Sequence, residues 1–210
     1  MTGLFVVFEG ADGTGKSTQV DAVSTTLRAA GHDVVVTREP GGSVVAEKLR
    51  SLVLDPAHEM NPITEALIFA AARADHIDKT IAPALAAGQI VISDRFVGSS
   101  IAYQSAGRGL SPATIVDINA YATEGLTPDV TVVLDLDETV AGRRRAERAE
   151  LTDRMESAPE GFQDAVRASF LTQVQAAPER HFVVDAAQPP EAITRQIVTH
   201  LSTKYGVCSA

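Results

Sequence analysis

The stretch EGADGTGKST at residues 9–18 decides the fold. It matches the pattern G-x-x-x-x-G-K-[ST], in which backbone N–H groups surround phosphate oxygens at the start of a helix. The pattern is carried by Gly10, Gly15, Lys16 and Ser17. An apolar run precedes the stretch and a helical pattern follows it, as this loop requires. The competing pattern G-x-G-x-x-G fails at its last position, Thr18. The sequence therefore predicts a site for a nucleoside triphosphate.

The residue types in this phosphate loop have separate chemical tasks. We expect the backbone N–H groups of residues 13–18, including those of Gly13, Thr14 and Thr18, to bind the phosphates. Lys16 would neutralise the β and γ oxygens, and Ser17 would ligate Mg²⁺.

A magnesium site of this kind needs a carboxylate at the end of a neighbouring strand. Asp94 is the first choice, because it ends the apolar run QIVISD, and Asp135 and Asp137 are the alternatives. Asp94 could instead cap a helix. For Asp137, which precedes a helix starting near Glu138, capping is the favoured interpretation.

Apolar runs rich in Val and Ile alternate with helical patterns along the chain. The runs lie at residues 4–9, 33–37, 89–94, 129–136 and 180–185. The helical patterns lie at residues 16–31, 43–55, 61–88, 111–125 and 189–206. Strands that are apolar throughout are buried on both faces, as in a parallel sheet covered by helices. We therefore expect an α/β fold with a doubly wound, five-stranded parallel sheet and ligand loops at the strands' C-terminal ends.

The composition limits the classes of function. The chain has 210 residues, 45% of them hydrophobic, so we expect one domain over residues 1–210. The net charge of −9 argues against a nucleic-acid partner. No signal peptide or apolar run of membrane-spanning length is present, so no membrane partner is expected. Cys208 is a single cysteine, which is typical of a reducing compartment and predicts a cytoplasmic protein.

The destination of the terminal phosphate is narrowed by elimination. The chain has no usable Asn-Lys-x-Asp motif of a switch GTPase, and its length leaves little room for a motor ATPase. A small phosphotransferase remains, and its acceptor would need cationic, aromatic and amide groups opposite the phosphate loop. Residues of these types follow the second and third strands or lie on the helix between them: Arg38, Phe69, Arg73, Arg95, Ser99, Ser100, Tyr103 and Gln104. Taken singly, a residue such as Phe69 is more often a core residue than a stacking platform, and one such as Arg73 is more often a surface charge.

Together these motifs resemble the bacterial thymidylate kinase family. The resemblance rests on EGADGTGKST, TREPGGS at 37–43, F-x-x-x-R at 69–73, the DR-F-x-x-S-S-x-A-Y-Q pattern at 94–104, and DLD followed by an Arg-rich segment. It extends from residue 3 to about residue 200. The resemblance implies a P-loop NTPase fold with a mobile lid, and transfer of a phosphoryl group from ATP to dTMP in dTTP biosynthesis, with Mg²⁺. It also implies a homodimer.

The resemblance further implies roles for the acceptor residues. Phe69 would stack on thymine, Arg73 and Ser100 would hydrogen-bond its edge, and Gln104 would support the base pocket. Tyr103 would lie against the deoxyribose. Arg38 and Arg95 would hold the dTMP phosphate, and Asp12 would lie near the sugar 3′-hydroxyl and the phosphates.

The charged segment at 141–161 is expected to be the lid. Read alone, it is a solvated helix surface. In this family some members carry a catalytic Arg inside the phosphate loop and others carry basic residues on the lid. The loop here has no Arg between Gly10 and Gly15, so the resemblance implies the second type. Arg148 would then reach the transferred phosphoryl group, Arg144 would lie near the adenine, and Arg154 is a second lid candidate. Further adenine contacts are expected from the loop at 185–191, mostly through backbone groups.

Two other functions remain open on the sequence. One is a kinase for another nucleoside monophosphate or a deoxynucleoside. The other is a non-catalytic nucleotide-binding regulatory protein.

Overall fold

The computed structural model describes residues 3–147 and 161–207. The strands in these ranges are β1 (Leu4–Glu9), β2 (Val34–Arg38), β3 (Ile90–Asp94), β4 (Val130–Asp135) and β5 (His181–Asp185). The α-helices are α1 (Lys16–Ala29), α2 (Val44–Leu54), α3 (Pro62–His76), α4 (Ala82–Ala86), α5 (Val97–Ser100), α6 (Pro112–Thr123), α7 (Glu138–Ala146), α8 (Phe162–Ala176) and α9 (Pro190–Tyr205). No helix in the described ranges is long and apolar enough to cross a membrane.

All strand pairs of the sheet are parallel, and the strand order is β2-β3-β1-β4-β5. The predicted doubly wound, five-stranded parallel sheet is therefore confirmed. The chain moves from β1 to β2 and β3 on one side, and then crosses to β4 and β5 on the other. In such a sheet the ligand crevice lies beyond the carboxyl ends of the strands where the order reverses. Here the order reverses at β1, so the crevice is expected beyond the carboxyl ends of β1 and of its neighbours β3 and β4.

The central strand β1 is buried on both faces. Val6 and Phe8 pack with α1 and α9 on one face, whereas Phe5 and Val7 pack on the other. All four side chains are at most 1% exposed. This two-sided burial explains why the run LFVVFE is apolar without alternation.

The helical pattern at 61–88 forms three consecutive pieces. A π-helical segment, Ile77–Ile81, separates α3 from α4. Pro83 follows in the first turn of α4. Proline has no N–H to donate, and its ring would clash with the preceding turn of an unbroken α-helix. The wider π-helical turn before Pro83 avoids this clash.

Part of the expected lid belongs to described helices. Residues 141–146 lie in α7, which is capped by the Asp137 side chain accepting from the Thr139 N–H at 2.9 Å. Residue 161 precedes α8. The predicted lid residues Arg148 and Arg154 lie outside the described residues, as does Cys208.

Candidate active site

The phosphate loop connects β1 to α1 at the switch point of the sheet. Gly15 precedes α1 with a φ of 89°, and its carbonyl accepts the first helical bond from the Gln19 N–H at 3.1 Å. The Thr14 hydroxyl donates to the Ala11 carbonyl at 3.0 Å and closes the loop. No side chain caps the N-terminus of α1. Its first N–H groups are thus available to an anion, which the helix dipole also favours.

Two glycines of the loop are required by backbone shape and by space. Gly10 has a φ of 142°, and a Cβ there would lie 2.6 Å from the Leu134 carbonyl oxygen. Gly13 has a φ of 88°, and a Cβ there would lie 2.5 Å from the carbonyl oxygen of Ala141 in α7. Any other residue at either position would be strained and would also clash with backbone.

Lys16 is buried at the base of the loop. Its Nζ donates to the carbonyls of Gly10 at 3.0 Å and Ala11 at 2.8 Å, and its exposed fraction is 7%. Burial and the neighbouring Arg95 lower the pKa of Lys16 to about 8, although three nearby carboxylates act in the opposite direction. Because this pKa is still above 7, Lys16 is mostly protonated at neutral pH and places a positive charge where phosphates are expected.

The structure places Ser17 beside Asp94. The Ser17 hydroxyl donates to Asp94 Oδ2 at 2.9 Å, although the two residues are 77 positions apart. The alternative carboxylates are engaged elsewhere: Asp135 accepts from Arg167 at 2.7 Å, and Asp137 caps α7. Hydroxyl and carboxylate oxygens are ligands that Mg²⁺ takes, so the Ser17 and Asp94 pair fits this ion. The described residues contain no group of three or more His, Cys, Asp or Glu side chains that could hold a metal.

Arg95 connects the phosphate loop to the third strand. It has a φ of 73°, which is uncommon for a residue with a side chain and is typical of functional sites. Its Nη2 donates to Asp12 Oδ1 at 2.5 Å and to the Tyr103 hydroxyl at 3.1 Å. Its Nη1 donates to Ser99 at 2.9 Å and to the Gly10 carbonyl at 3.2 Å. Carboxylate, hydroxyl and backbone thus hold the guanidinium in one orientation.

Asp12 is the acid inside the anion-binding loop, and its partners explain its presence. It accepts hydrogen bonds from Arg95, from the Tyr103 hydroxyl at 2.8 Å and from Gln163 Nε2 at 3.2 Å. Burial raises the pKa of Asp12, but Arg95 and Lys16 outweigh that effect. With the hydrogen bonds of Tyr103 and Gln163, they lower this pKa to about 2. Asp12 is therefore an anion at neutral pH that compensates the cations around it.

Tyr103 donates to Asp12 as a neutral phenol. Burial raises its pKa well above the ordinary value of 10.0. The Arg95 guanidinium lies 4.9 Å from the centroid of its ring. The phenol ring therefore has a polar end on the phosphate loop and an apolar body that packs edge-on against Phe162 at the start of α8.

Arg73 is buried beneath the second half of the site. It is 2% exposed, so its interpretation as a surface charge is wrong. Its Nε donates to Glu39 Oε2 at 2.7 Å, its Nη2 to the Phe96 carbonyl at 3.1 Å, and its Nη1 to Ser100 at 3.1 Å and to Asn119. Such a guanidinium can meet a ligand only in one orientation.

One cavity of about 630 Å³ brings the two halves together. Its lining includes these residues expected to bind nucleotide or metal: Asp12, Gly13, Gly15, Lys16, Ser17, Thr18, Asp94 and Arg144. It also includes every residue expected to bind the acceptor: Arg38, Phe69, Arg73, Arg95, Ser99, Ser100, Tyr103 and Gln104. Gly10 and Thr14 do not line it. Phe69 is half-buried, so it has a side chain face available to the cavity rather than one enclosed in the core.

A family model described as thymidylate kinase matches residues 8–197. The chain belongs to the thymidylate kinase family. It is 48% identical over 204 residues to the thymidylate kinase of Pseudomonas fluorescens (strain SBW25), covering 97% of each chain. It is 45% identical over 202 residues to that of Deinococcus radiodurans, covering 96% of this chain and 98% of the relative. The crystal structure of thymidylate kinase from Ehrlichia chaffeensis superposes with a TM-score of 0.76 at 30% identity, covering 96% of this chain and 99% of that one.

Membership of the thymidylate kinase family confirms the resemblance carried by the sequence motifs. It also confirms the P-loop kinase fold, with ATP as phosphoryl donor and Mg²⁺ as cofactor. The contacts of individual residues with dTMP, ATP or metal stay predictions.

Two buried acids of this thymidylate kinase family member, Glu9 and Glu39, were not predicted as part of the site. Glu9, 1% exposed, accepts from the backbone N–H groups of Phe96 at 3.0 Å and Ser99 at 2.9 Å, and from the Ser99 hydroxyl at 2.6 Å. Burial raises its pKa despite the neighbouring Arg95. Glu39, 5% exposed, binds Arg73 and also contacts His76 Nδ1 at 3.1 Å. The sequence does contain a signal for both residues. Glu9 ends an apolar strand and Glu39 lies in the REPGG turn, and an acid is rarely buried in such a place unless it has a partner.

Arg50 is a further cavity residue that the motifs did not indicate. It lies on α2 and donates to the Pro40 carbonyl at 2.8 Å. On α7, Arg144 donates to the carbonyl of Ala186 at 3.3 Å, in the loop where adenine contacts are expected. Arg145 donates to the Asp12 carbonyl at 2.7 Å, which fastens α7 to the phosphate loop.

Proposed function

We propose the following roles for this chain in transferring the γ-phosphoryl group of ATP to dTMP, which gives ADP and dTDP. The single observation that carries the proposal is that one cavity is lined both by the phosphate loop and by Phe69, Arg73 and Gln104. A volume of about 630 Å³ is within the range of small-molecule sites. Both substrates can therefore bind side by side in the same cavity.

The donor binds through the phosphate loop. Backbone N–H groups of residues 13–18 hold the phosphates, and Lys16 exchanges its loop carbonyls for β and γ oxygens. Ser17 and Asp94 would hold Mg²⁺, which when bound neutralises charge on the phosphates. Arg144 contributes near the adenine.

The acceptor phosphate is held by Arg38 and Arg95. A phosphate monoester is largely a dianion at pH 7, so its attacking oxygen needs no proton removed and the site needs no general base. What the site must supply is alignment and compensation of repulsion between two anions. The fixed guanidinium of Arg95 suits this role, because it presents paired N–H groups to phosphate oxygens. Asp12 holds that guanidinium and lies where the sugar 3′-hydroxyl is expected.

The base and sugar bind on the other half of the cavity. Phe69 stacks on thymine, and Arg73 and Ser100 hydrogen-bond its edge. Tyr103 lies against the deoxyribose, where its bulk disfavours a 2′-hydroxyl. Gln104 supports the base pocket beside Arg73.

The lid completes the charge of the site. The phosphate loop contains no arginine between Gly10 and Gly15, so the transferred phosphoryl group needs a cation from elsewhere. Arg148 takes this role, with Arg154 as the neighbouring candidate. Closure of the lid at 141–161 would also exclude water and limit ATP hydrolysis.

Product analysis tests this function. Incubation with dTMP, ATP and Mg²⁺ should yield dTDP and ADP in equal amounts, separated by ion-exchange chromatography. ADP without dTDP would mean transfer to water and would refute the proposal. If dTMP raises the melting temperature but no product forms, the chain is instead a nucleotide-binding regulatory protein.

A homodimer in the cytoplasm is also proposed. Leu67 on α3 is 52% exposed, and Val116 and Tyr121 on α6 are 50% and 89% exposed. These two helices pack against each other, and exposed apolar side chains of this kind favour an interface. Sedimentation equilibrium should give twice the mass of one chain, whereas a monomer at micromolar concentration would contradict the dimer. The single cysteine favours a cytoplasmic location, which cell fractionation would test.

A further inference from the structure

A buried carboxylate lies directly behind the amide of Gln104. Glu65 occupies the first turn of α3 and is 1% exposed. Its Oε1 accepts from Gln104 Nε2 at 2.9 Å, and Gln104 is itself 1% exposed. Arg108 Nε lies 3.4 Å from Glu65 Oε2 and compensates the buried charge. Glu65 and Gln104, which are both buried, thus form a polar cluster with the partly exposed Arg108 where α3 meets the π-helical segment Ile101–Gly107.

The carboxylate determines which end of the amide faces it. The two ends of a glutamine amide have nearly the same size but opposite hydrogen-bonding character, so the surroundings select the orientation. An ionised carboxylate only accepts. Glu65 therefore attracts Nε2 of Gln104 and repels Oε1, which leaves the acceptor oxygen for a ligand in the cavity that Gln104 lines.

We infer that Glu65 is a positioning residue for base selectivity, which holds the Gln104 amide so that Oε1 faces the base and accepts from N3–H of thymine. The inference rests on the proposed function, because it takes the base of dTMP to lie beside Arg73 and Gln104. Glu65 itself does not line the cavity, so it acts through Gln104.

This orientation discriminates between pyrimidines. Thymine offers an acceptor at O4 and a donor at N3, which match the Arg73 donors and the Gln104 oxygen. Cytosine offers an amino donor at C4 and an acceptor at N3, so both contacts would set like against like. Rejection by mismatched polar groups is an effective way to exclude a close analogue. If the Gln104 amide could turn over, its Nε2 would donate to N3 of cytosine, and the discrimination against dCMP would decrease.

Glu65→Gln tests the inference with little change in shape. A neutral amide at position 65 can donate or accept, so Gln104 can adopt either orientation. We expect the ratio of kcat/KM for dTMP to that for dCMP to fall about tenfold or more, which is the factor that 1.4 kcal/mol of lost discrimination gives. The ratio of dTMP to dUMP should change less than about twofold, because both bases present the same polar edge. Glu59→Gln makes the same chemical change at an exposed position and should leave both ratios unchanged.

A merely structural role would give a different result. Loss of local packing would lower kcat/KM for all three nucleotides together and leave the dTMP to dCMP ratio in place, which would overturn the inference. A double-mutant cycle separates the cases further. In a Gln104→Met background, Glu65→Gln should have no further effect on that ratio, and a full additional effect would show that Glu65 does not act through Gln104.

A measurement on the wild-type chain keeps the inference testable if Glu65→Gln does not fold. Neutron diffraction from deuterium-exchanged crystals with dTMP should place a deuteron on Gln104 Nε2 directed at Glu65. A Gln104 oxygen facing a protonated Glu65 would overturn the inference. The proposed function fails separately: a wild type that forms no dTDP refutes both, whereas an active wild type with an unchanged Glu65→Gln ratio refutes only the role of Glu65.

Discussion

Replacement of Asp12 by asparagine tests how the acid in the phosphate loop compensates the cations of the site. Asp12 lies against Arg95, Tyr103 and Gln163, and its pKa in the folded protein is about 2 against an ordinary value of 3.8. At about 1.4 kcal/mol for each pKa unit, this difference corresponds to about 2 kcal/mol of stability at pH 7. Asp12→Asn should therefore lower the free energy of unfolding by about that amount, because asparagine cannot make the charge interactions with Arg95 and Lys16 that depress this pKa.

The pH dependence distinguishes this cause from a general loss of packing. A carboxylate whose pKa is depressed by folding contributes stability above its unfolded pKa, and the contribution is lost as the pH falls through the folded value. Urea unfolding of wild type and Asp12→Asn should show a constant gap from pH 7 to pH 5 that narrows below about pH 4. Asp21→Asn, at an exposed position on α1, is the matched control. A gap that is absent at pH 7, or the same at pH 3 as at pH 7, would refute the reasoning.

The remaining predictions concern individual site residues. Phe69→Ala should raise the KM for dTMP about tenfold with a smaller change in kcat, because it removes a stacking surface used before and during transfer. An unchanged KM would show that Phe69 is a core residue and not part of the base site. Asp94→Asn should raise the Mg²⁺ concentration for half-maximal activity about tenfold, and an unaltered magnesium titration would contradict its assignment. Arg148→Ala should lower kcat about 100-fold with a smaller effect on the KM for dTMP, whereas Arg144→Ala should act mainly on the KM for ATP. Full activity of the first variant would transfer the role to a neighbouring arginine.

The fold could be predicted because its determinants are local. The run at 4–9 coincides with β1, and the phosphate loop sits between strand and helix as its pattern requires. Burial on both faces leaves a continuous apolar run, and the five segments predicted as helical have a recognisable period. The helix α8 was not among the predicted segments. The π-helical segments at Ile77–Ile81 and Ile101–Gly107 were not predicted. Pro83 is a local signal for the first of them, but a single widened turn hardly changes the helical period of the apolar residues, so periodicity does not reveal either segment.

The residues that line the candidate site could be predicted from motifs, but the buried residues that hold them in place could not. Arg73 and Gln104 are recognisable by residue type and position, whereas Glu39 and Glu65 act from 34 and 39 residues away. A sequence pattern tells which side chains are buried but not which of them meet. Asp12 shows the same limit: its closest contact is Arg95, 83 residues further along the chain.

Steady-state rates across a panel of acceptors test the central claim most directly. Release of ADP from ATP and Mg²⁺ should be measured by a coupled assay with dTMP, dUMP, dCMP, dGMP and thymidine. We expect the highest kcat/KM with dTMP, low values with dCMP and dGMP, and no turnover of thymidine, which lacks the phosphate that Arg38 and Arg95 hold. A higher kcat/KM for any other acceptor, or ADP release that does not depend on dTMP, would contradict the account.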